Sequence, residues 1–222
     1  MSSDPAAPPA DRRAQILDCA EAAFGECGFA GARIEDIATR AGLRRPSLLH
    51  HFRDKRTLYG AVVVRIVADL SARVADTDDD EGLARMERVV GEFVAFVAAR
   101  PDAARILLRL LVDPIEVDGV ATAVARLLET LQRAIDAGVA RGENKPRDAA
   151  EVALALASTA LVWVAARRAV ADALGMDTLA AERVEALRSD LRQLARQLLG
   201  AVTASDAHAL APPGRARARR RS

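Results

Sequence analysis

Apolar residues recur along this chain at helical spacing, and no segment alternates with the two-residue period of a half-buried strand. Alanine, leucine and arginine, which favour helix, are abundant between breaks marked by proline and glycine. The pattern therefore predicts an all-α protein of about nine helices. They are expected at residues 11–27, in two short segments within 34–52, then at 55–74, 82–99, 102–112, 117–141, 147–174 and 178–201.

The segment from Ile34 to Phe52 predicts two short helices joined by a tight turn. The first has apolar residues at i, i+3, i+4 and i+7, namely Ile34, Ile37, Ala38 and Ala41. Gly42 can end that helix with a positive φ, and Pro46 suits the first turn of the next helix. The residues expected to point inward from the second helix are Leu48, Leu49 and Phe52. This layout is that of a helix-turn-helix, whose second helix lies in the DNA major groove.

The residues left facing outward around the second helix can bind phosphates or base edges. The candidate DNA contacts are Arg33, Arg44, Arg45, Pro46, Ser47, His50, His51 and Lys55. We expect Arg45 and Ser47 to reach base edges, and the remaining basic residues to bind mainly phosphates. Seven basic residues stand against three acids between Arg33 and Arg56, a local charge of +4 in a chain whose net charge is only +1. Such a local patch favours DNA binding by one surface.

A longer pattern surrounds this motif. It comprises Ile16-Leu17, Ala20, Phe24, Gly28-Phe29, Ile37-Ala38, Ala41-Gly42-Leu43, Pro46-Ser47-Leu48, His51-Phe52, Lys55 and Leu58. With these residues, the stretch from Arg13 to Leu58 resembles the DNA-binding domain of the tetracycline-repressor (TetR) family of bacterial transcriptional regulators. Three positions depart from the family pattern. Ala32-Arg33 stand where Thr or Ser is usual, Leu49 replaces a Tyr, and Arg44 replaces a common Ser cap.

The resemblance implies a homodimer with an N-terminal three-helix DNA-binding domain and a C-terminal helical domain that dimerises and binds a small-molecule effector. We expect a disordered arm at 1–10, the DNA-binding domain at 11–58, and helix 55–74 as its link to the effector-binding and dimerisation domain at 59–203. A basic disordered tail is expected at 204–222, which ends in RARARRRS. In this family the usual outcome is repression that a small ligand releases.

The last predicted helix carries leucines at i, i+4, i+7 and i+11, namely Leu187, Leu191, Leu194 and Leu198. A seam this regular exceeds what one core-facing helix needs, so we expect it to form the dimer interface. The alanine-rich helix before it would allow close backbone approach. Because a dimer reads two half-sites about 34–36 Å apart or multiples of that, the expected partner is double-stranded DNA with a palindromic operator.

A ligand pocket is expected between the helices that connect the DNA-binding domain to the dimer core. The candidate lining is Phe93, Phe96, Leu107, Leu111 and Trp163, with Arg167 as the nearest anchor for a polar or negative group. Few polar groups point that way, which favours an apolar effector with at most one carboxylate or carbonyl. Plain core packing is the alternative role for these residues, because helical spacing suits it equally well.

Catalytic, metal and cofactor patterns are missing from the sequence, which has no Ser/His/Asp, Cys/His, Walker or dinucleotide-binding arrangement. We therefore expect no catalytic residue, no metal site and no cofactor. His50 and His51 point about 100° apart on a helix and lack further ligands, and the acidic stretch from Asp76 lacks the glycine of a calcium loop. The main alternative function is an effector-independent or architectural DNA-binding regulator, followed by a helical adaptor without DNA.

Neither a secretion signal nor a membrane span is expected. The longest apolar run, 152–166, has 15 residues, whereas a membrane-spanning helix needs about 20. Residues 1–10 are polar and rich in proline, unlike the apolar core of a signal peptide. Cys19 and Cys27 lie too far apart on one predicted helix to form a disulfide. These features together predict a cytoplasmic protein.

Overall fold

The computed structural model describes residues 9–75, 82–113 and 115–200, and every regular element within them is a helix. The ten helices are α1 (Pro9–Gly31), α2 (Ile34–Arg40), α3 (Arg45–His51), α4 (Lys55–Ala75), α5 (Gly82–Ala99), α6 (Pro101–Val112), α7 (Val120–Ala140), α8 (Ala149–Ala165), α9 (Arg167–Leu174) and α10 (Ala181–Leu199). The predicted all-α class is confirmed. Residues 1–8, the acidic stretch 76–81 and the basic tail 204–222 lie outside the described residues.

Helix α1 is longer than predicted at both ends. It begins at Pro9, so the last two residues of the expected arm are helical. Gly28 adopts φ 72°, the left-handed value expected where the helix ends, but one more helical turn follows it. The turn holds Phe29 against Phe24 at 6.3 Å between ring centroids, and Tyr59 of α4 meets both rings edge-on at 5.0 and 5.3 Å.

The prediction of one helix at 147–174 was wrong. The chain bends by 57° between α8 and α9, at Ala166. No glycine or proline marks this position. The physical reason is burial. Helix α8 has six buried residues and α9 has none, so packing against the core no longer fixes the direction of the chain beyond Ala166. Among the described residues no single helix is long and apolar enough to cross a membrane, and the bent pair meets that test only when both helices are counted together.

Helix α4 connects two parts of the molecule. The N-terminal unit consists of α1, α2, α3 and the start of α4. Its core is formed by Ile16, Ala20, Phe24, Ile37, Ala38, Leu48, Phe52 and Leu58. The body consists of the rest of α4 and helices α5 to α10, in which α10 packs on α5 and α8. Helix α6 lies between the two parts, with α1 on one side and α8 on the other.

A buried carboxylate joins the N-terminal unit to the body. Glu21 of α1 is 8% exposed, and it accepts hydrogen bonds from Arg65 Nη2 of α4 at 2.9 Å and from Arg100 Nη2 at 2.6 Å. Arg65 also binds Asp18 at 2.6 Å, and Arg100, just before α6, binds Asp69 at 2.6 Å. Burial acts to lower the pKa of Arg100, but its bonds to Glu21 and Asp69 raise the pKa above the usual arginine value.

Helix α6 also contacts α1 directly. Arg109 Nη1 donates hydrogen bonds to the carbonyl oxygens of Phe24 at 2.7 Å and of Gly25 at 3.1 Å, which lie near the end of the first part of α1. Gly25 packs so closely on Asp102 that a Cβ at position 25 would overlap it. Two contacts therefore fix α6 against α1. Arg109 places a cation on the last carbonyls of a helix, and Gly25 allows close approach because it has no side chain.

Replacing Glu21 should destabilise the fold far more than replacing a surface glutamate. Glu21→Gln removes the buried carboxylate shared by Arg65 and Arg100 and leaves each with only its more exposed partner, so we expect a loss of about 2–4 kcal/mol in the free energy of unfolding. The matched control is Glu26→Gln, because Glu26 binds Arg40 at 2.8 Å on the exposed side of α1, where such pairs contribute less than about 1 kcal/mol. Urea unfolding measures both, and equal losses would contradict the assigned role of Glu21.

Candidate nucleic-acid interface and apolar cavity

Helix α3 rests on the N-terminal unit through Leu48 and its C-cap Phe52, while Leu49 and His51 are half-buried. Leu48 and Phe52 are buried, whereas Arg45, Pro46, Ser47 and His50 are exposed. Pro46 lies in the first turn, as predicted, and Gly42 ends the preceding turn with φ 66°. The helix-turn-helix geometry expected from the sequence is therefore present, with its polar face directed outward.

Four of the predicted DNA contacts lie at the N-terminus of α3, namely Arg44, Arg45, Pro46 and Ser47, whereas His50 and His51 lie in its last turn. Arg44 precedes the helix in an extended conformation without a side-chain cap, as expected where Arg replaces a capping Ser. Arg33 stands in the same way before α2, and its side chain is exposed. Arg45 forms an ion pair with Glu35 of α2 at 3.2 Å, with both side chains about half exposed. Exposed ion pairs are weak. Glu35 therefore orients the Arg45 side chain, which can still exchange Glu35 for another partner.

Lys55, which is predicted to contact mainly phosphate, also has hydrogen-bond partners within the protein. Its Nζ donates hydrogen bonds to the carbonyl oxygens of Ala30 at 3.3 Å and Ala32 at 3.0 Å. It also lies over the ring of Phe29 at 4.7 Å from the centroid. Lys55 thus links the end of α1 to the segment before α2. Its ammonium group already has partners within the protein. The physical reason is that the last carbonyls of α1 need donors.

Arg13 and Arg53 are two further arginines beside α3 that are not among the predicted DNA contacts. The guanidinium of Arg13 lies over the ring of Phe52, 4.4 Å from its centroid, which brings it to the end of α3. Arg53 follows directly and is 88% exposed. Both residues border an open cleft of about 990 Å³ between the N-terminal unit and residues 116–121. An arginine in the first turns of α1 was the available signal, but only the fold brings it beside α3.

Asp54 fixes the start of α4 immediately after α3. Its carboxylate accepts hydrogen bonds from the Thr57 backbone N–H at 2.7 Å, the Thr57 hydroxyl at 2.8 Å and Arg53 Nε at 3.1 Å. The Thr57 backbone bond is the largest cause, and together these donors lower the pKa of Asp54 from 3.8 to about 2. The Asp54 carboxylate therefore caps the N-terminus of α4, where the hydrogen bonds that it accepts favour its charged form.

The contribution of Asp54 to stability should depend on acid pH in a defined window. Because the pKa is lower in the folded chain, this contribution is complete above about pH 4 and disappears as the pH falls through about 2. Carboxyl ¹³C NMR should show Asp54 titrating near 2. Thr57→Ala removes the hydroxyl donor but keeps the backbone N–H, so the pKa should move part of the way toward 3.8. A wild-type titration already near 3.8 would contradict the cap.

A small apolar cavity lies in the body between α4, α5, α7, α8 and α10. Its volume is about 120 Å³. It is lined by Leu70, Val74, Met86, Val89, Val90, Phe93, Leu127, Leu131, Ile135, Ala149, Val152, Ala153, Leu156, Ala157 and Leu191. A hydrocarbon group that fits would exchange water for contact with these side chains, which is favourable.

Of the predicted pocket residues, only Phe93 lines this cavity. Phe96 is buried in the core, with Arg73 and Arg100 against its ring. Leu107 packs on the core from α6, and Leu111 is about half exposed. Leu107 and Leu111 lie away from this cavity because α6 packs on α1 and α8, and a pocket formed by the predicted residues stays a prediction.

Trp163 and Arg167, the other predicted pocket residues, are also absent from the cavity lining. The indole N–H of Trp163 donates to the Thr178 carbonyl at 3.0 Å, so its polar edge is occupied inside the protein. Arg167 lies beyond the bend, at the start of α9. The bend places Arg167 outside α8, and its role as an anchor stays a prediction.

The predicted leucine seam of α10 faces its own protomer. Leu187 and Leu191 are buried, and Leu191 lines the cavity. Leu194 and Leu198 are half-buried against the same core. Exposed large apolar side chains occur instead on α6, α8 and α9, and those of α8 are Leu154 at 56% and Val162 at 51% exposure. The assignment of Leu187 and Leu191 to a dimer interface was therefore wrong, because periodicity identifies an apolar face but not what covers it.

Residues 16–62 match the model of the family described as "Bacterial regulatory proteins, tetR family". The chain is similar to the transcriptional activator FasR of Mycolicibacterium smegmatis, with 35% identity over 89 residues, 39% of this chain and 41% of that protein. It is also similar to the transcriptional repressor AcnR of Corynebacterium efficiens, with 32% identity over 80 residues, 36% of this chain and 40% of that protein. The match thus spans about two fifths of these relatives' length.

A likeness in fold extends over most of the chain. The crystal structure of AibR in complex with isovaleryl coenzyme A and operator DNA aligns with a TM-score of 0.65. That alignment covers 86% of this chain and 99% of the AibR chain at 16% sequence identity. The family match confirms the resemblance noted in the sequence, and the structural likeness supports the same fold for the body.

Proposed function

We propose that this chain, which belongs to the tetR family of bacterial regulatory proteins, is a homodimeric, sequence-specific transcriptional regulator whose DNA affinity is lowered by a small apolar molecule. The observation that carries the proposal is α3, which presents Arg45, Ser47 and His50 to solvent while Leu48 and Phe52 hold it in place. A short helix anchored in this way can enter the major groove. We propose that the chain acts in this way, in the cytoplasm, without enzymatic activity or a cofactor.

The body favours a regulator that binds an effector over one that is effector-independent. An apolar cavity of about 120 Å³ among five helices offers space for a ligand, which a regulator without an effector does not need. AibR, whose fold is similar, was solved with a small molecule and operator DNA together. The relatives include both an activator and a repressor. We propose repression, with the ligand-bound form releasing DNA.

The experiment that tests DNA binding is selection of bound sequences from random duplex DNA with the purified protein. A regulator of this kind should enrich a palindromic sequence with half-sites about 34–36 Å apart, or multiples of that distance. Enrichment of no sequence, together with salt-independent retention of DNA, would oppose the proposal, because phosphate contacts make specific binding strongly salt-dependent.

Arg45 should determine the preferred base at one position. We propose that its guanidinium leaves Glu35 and binds a base edge, so Arg45→Ala should cost about 1–3 kcal/mol on the selected operator and relax the preference there. The control is Arg53→Ala, an arginine outside α3 that is 88% exposed. This variant should weaken all sequences alike. Fluorescence anisotropy with operator variants measures both, and intact discrimination in the Arg45 variant would remove it from base recognition.

We propose that α8 forms the dimer interface. A helix that is apolar on all sides must be covered on all sides, and α8 has only one charged residue, Glu151, among its 17 residues. Its inner face covers the cavity through residues such as Val152 and Leu156, while Leu154 and Val162 face outward. The outer face of a second copy has the same apolar character, which suits a two-fold interface. Leu194 and Leu198 of α10 are half-buried and can border it.

Leu154→Glu should therefore produce monomers. The substitution leaves an unpaired charge in an apolar interface, which is costly, while the folded protomer loses nothing because the residue is exposed. Leu174→Glu on α9 is the matched control, since Leu174 is 72% exposed and lies outside the proposed interface. Light scattering after size-exclusion chromatography measures the mass. If Leu154→Glu remained a dimer of normal stability, the interface would lie elsewhere.

A further inference from the structure

We propose that the cavity between α4, α5, α7, α8 and α10 binds an uncharged hydrocarbon group of about the size of benzene, and that any polar part of the ligand stays outside the mouth. This inference rests on the proposed function, because it names the chemical class of the effector. It differs from the expectation of the sequence, in which Arg167 could bind a carboxylate.

The lining offers no hydrogen-bonding side chain. All fifteen lining residues have hydrocarbon side chains, apart from the thioether of Met86. They also lie within helices, so their backbone groups are paired along the helix. A carboxylate or ammonium group placed inside would lose its hydration and gain no partner, which is far more costly than leaving it in water.

The one helix N-terminus at the cavity is already satisfied. Ala149, the first residue of α8, lines the cavity, and helix N-termini commonly bind anions. Here the N–H of Ala149 donates to Gln132 Oε1 at 2.8 Å. The N–H groups of the next two residues both donate to the side chain of Asp148, whose negative charge repels anions. This end of α8 therefore cannot hold the acidic group of a ligand.

The volume limits the size of the group. Apolar cavities of about 150 Å³ lined by similar residues stay free of water and bind benzene or xenon. At about 120 Å³, this cavity accepts a ring or short branched chain of about that size. The half-buried lining residues are Phe93 of α5, Leu127 and Leu131 of α7, and Ala153 and Ala157 of α8. We therefore infer that the mouth opens between α7 and α8, where alanine leaves space.

Met86 provides a reporter inside the cavity. The chain has three methionines, of which Met86 lines the cavity and Met176 lies between α9 and α10. In protein labelled with ¹³C in the methionine methyl groups, added benzene should shift the Met86 signal saturably through its ring current. The Met176 signal should stay in place. Met86→Leu assigns the signal by removing it.

Two comparisons test the chemical class and the location. Benzoate carries the same ring with a charge, so at the same concentrations it should leave the Met86 signal unshifted. Ala157→Leu and Ala153→Leu each fill the mouth and should weaken benzene binding at least tenfold. The matched control is Ala125→Leu on the exposed side of α7, which should bind benzene like the wild type.

The outcomes separate clearly. A saturable shift of Met86 with benzene, lost in either filling variant and not produced by benzoate, supports the proposal. An equal response to benzoate would overturn the ligand class, and a response unchanged in both filling variants would overturn the location. No saturable response to benzene would overturn the proposal as a whole. None of these readouts uses DNA, so the inference can fail while DNA binding stands, and the reverse also holds.

Discussion

The structure depends on one buried carboxylate. Glu21 holds Arg65 of α4 and Arg100 before α6, so the N-terminal unit cannot turn against the body without breaking charged hydrogen bonds in a poorly solvated place. Helix α4 also links this cluster to the cavity. Asp69 binds Arg100, and the next residue, Leu70, lines the cavity. One helix therefore connects the space available to a ligand with the orientation of α3.

Helix α8 obeys a different constraint, which follows from its composition. Almost uniformly apolar, it cannot leave either face in water without cost. Its inward face borders a void that its neighbours do not fill, and its outward face carries Leu154 and Val162. Both faces belong to the same short helix. A change at the cavity therefore lies next to the surface that we propose for contact with the second protomer.

The N-terminal unit could be predicted from the sequence because its signals are local. Gly42, Pro46 and the spacing of Ile37 and Leu48 each act within a few residues, and the structure has the expected turn and helices. The pocket and the dimer seam could not be predicted in this way. Periodicity marks Leu191 as apolar, but only the packing of α10 on α5 decides that it faces the cavity. The bend at Ala166 has no local signal, since burial ends there without glycine or proline.

The charged residues follow a division that periodicity alone does not reveal. Charges that fix geometry are buried or bound to backbone, as Glu21 and Lys55 are. Charges proposed to bind DNA are exposed and weakly paired, as Arg45 is with Glu35. The difference follows from desolvation. A buried pair is costly to break, whereas an exposed pair can exchange one partner for another at little cost. The same residue type, arginine, can therefore hold the protein together at Arg100 and remain available to DNA at Arg45.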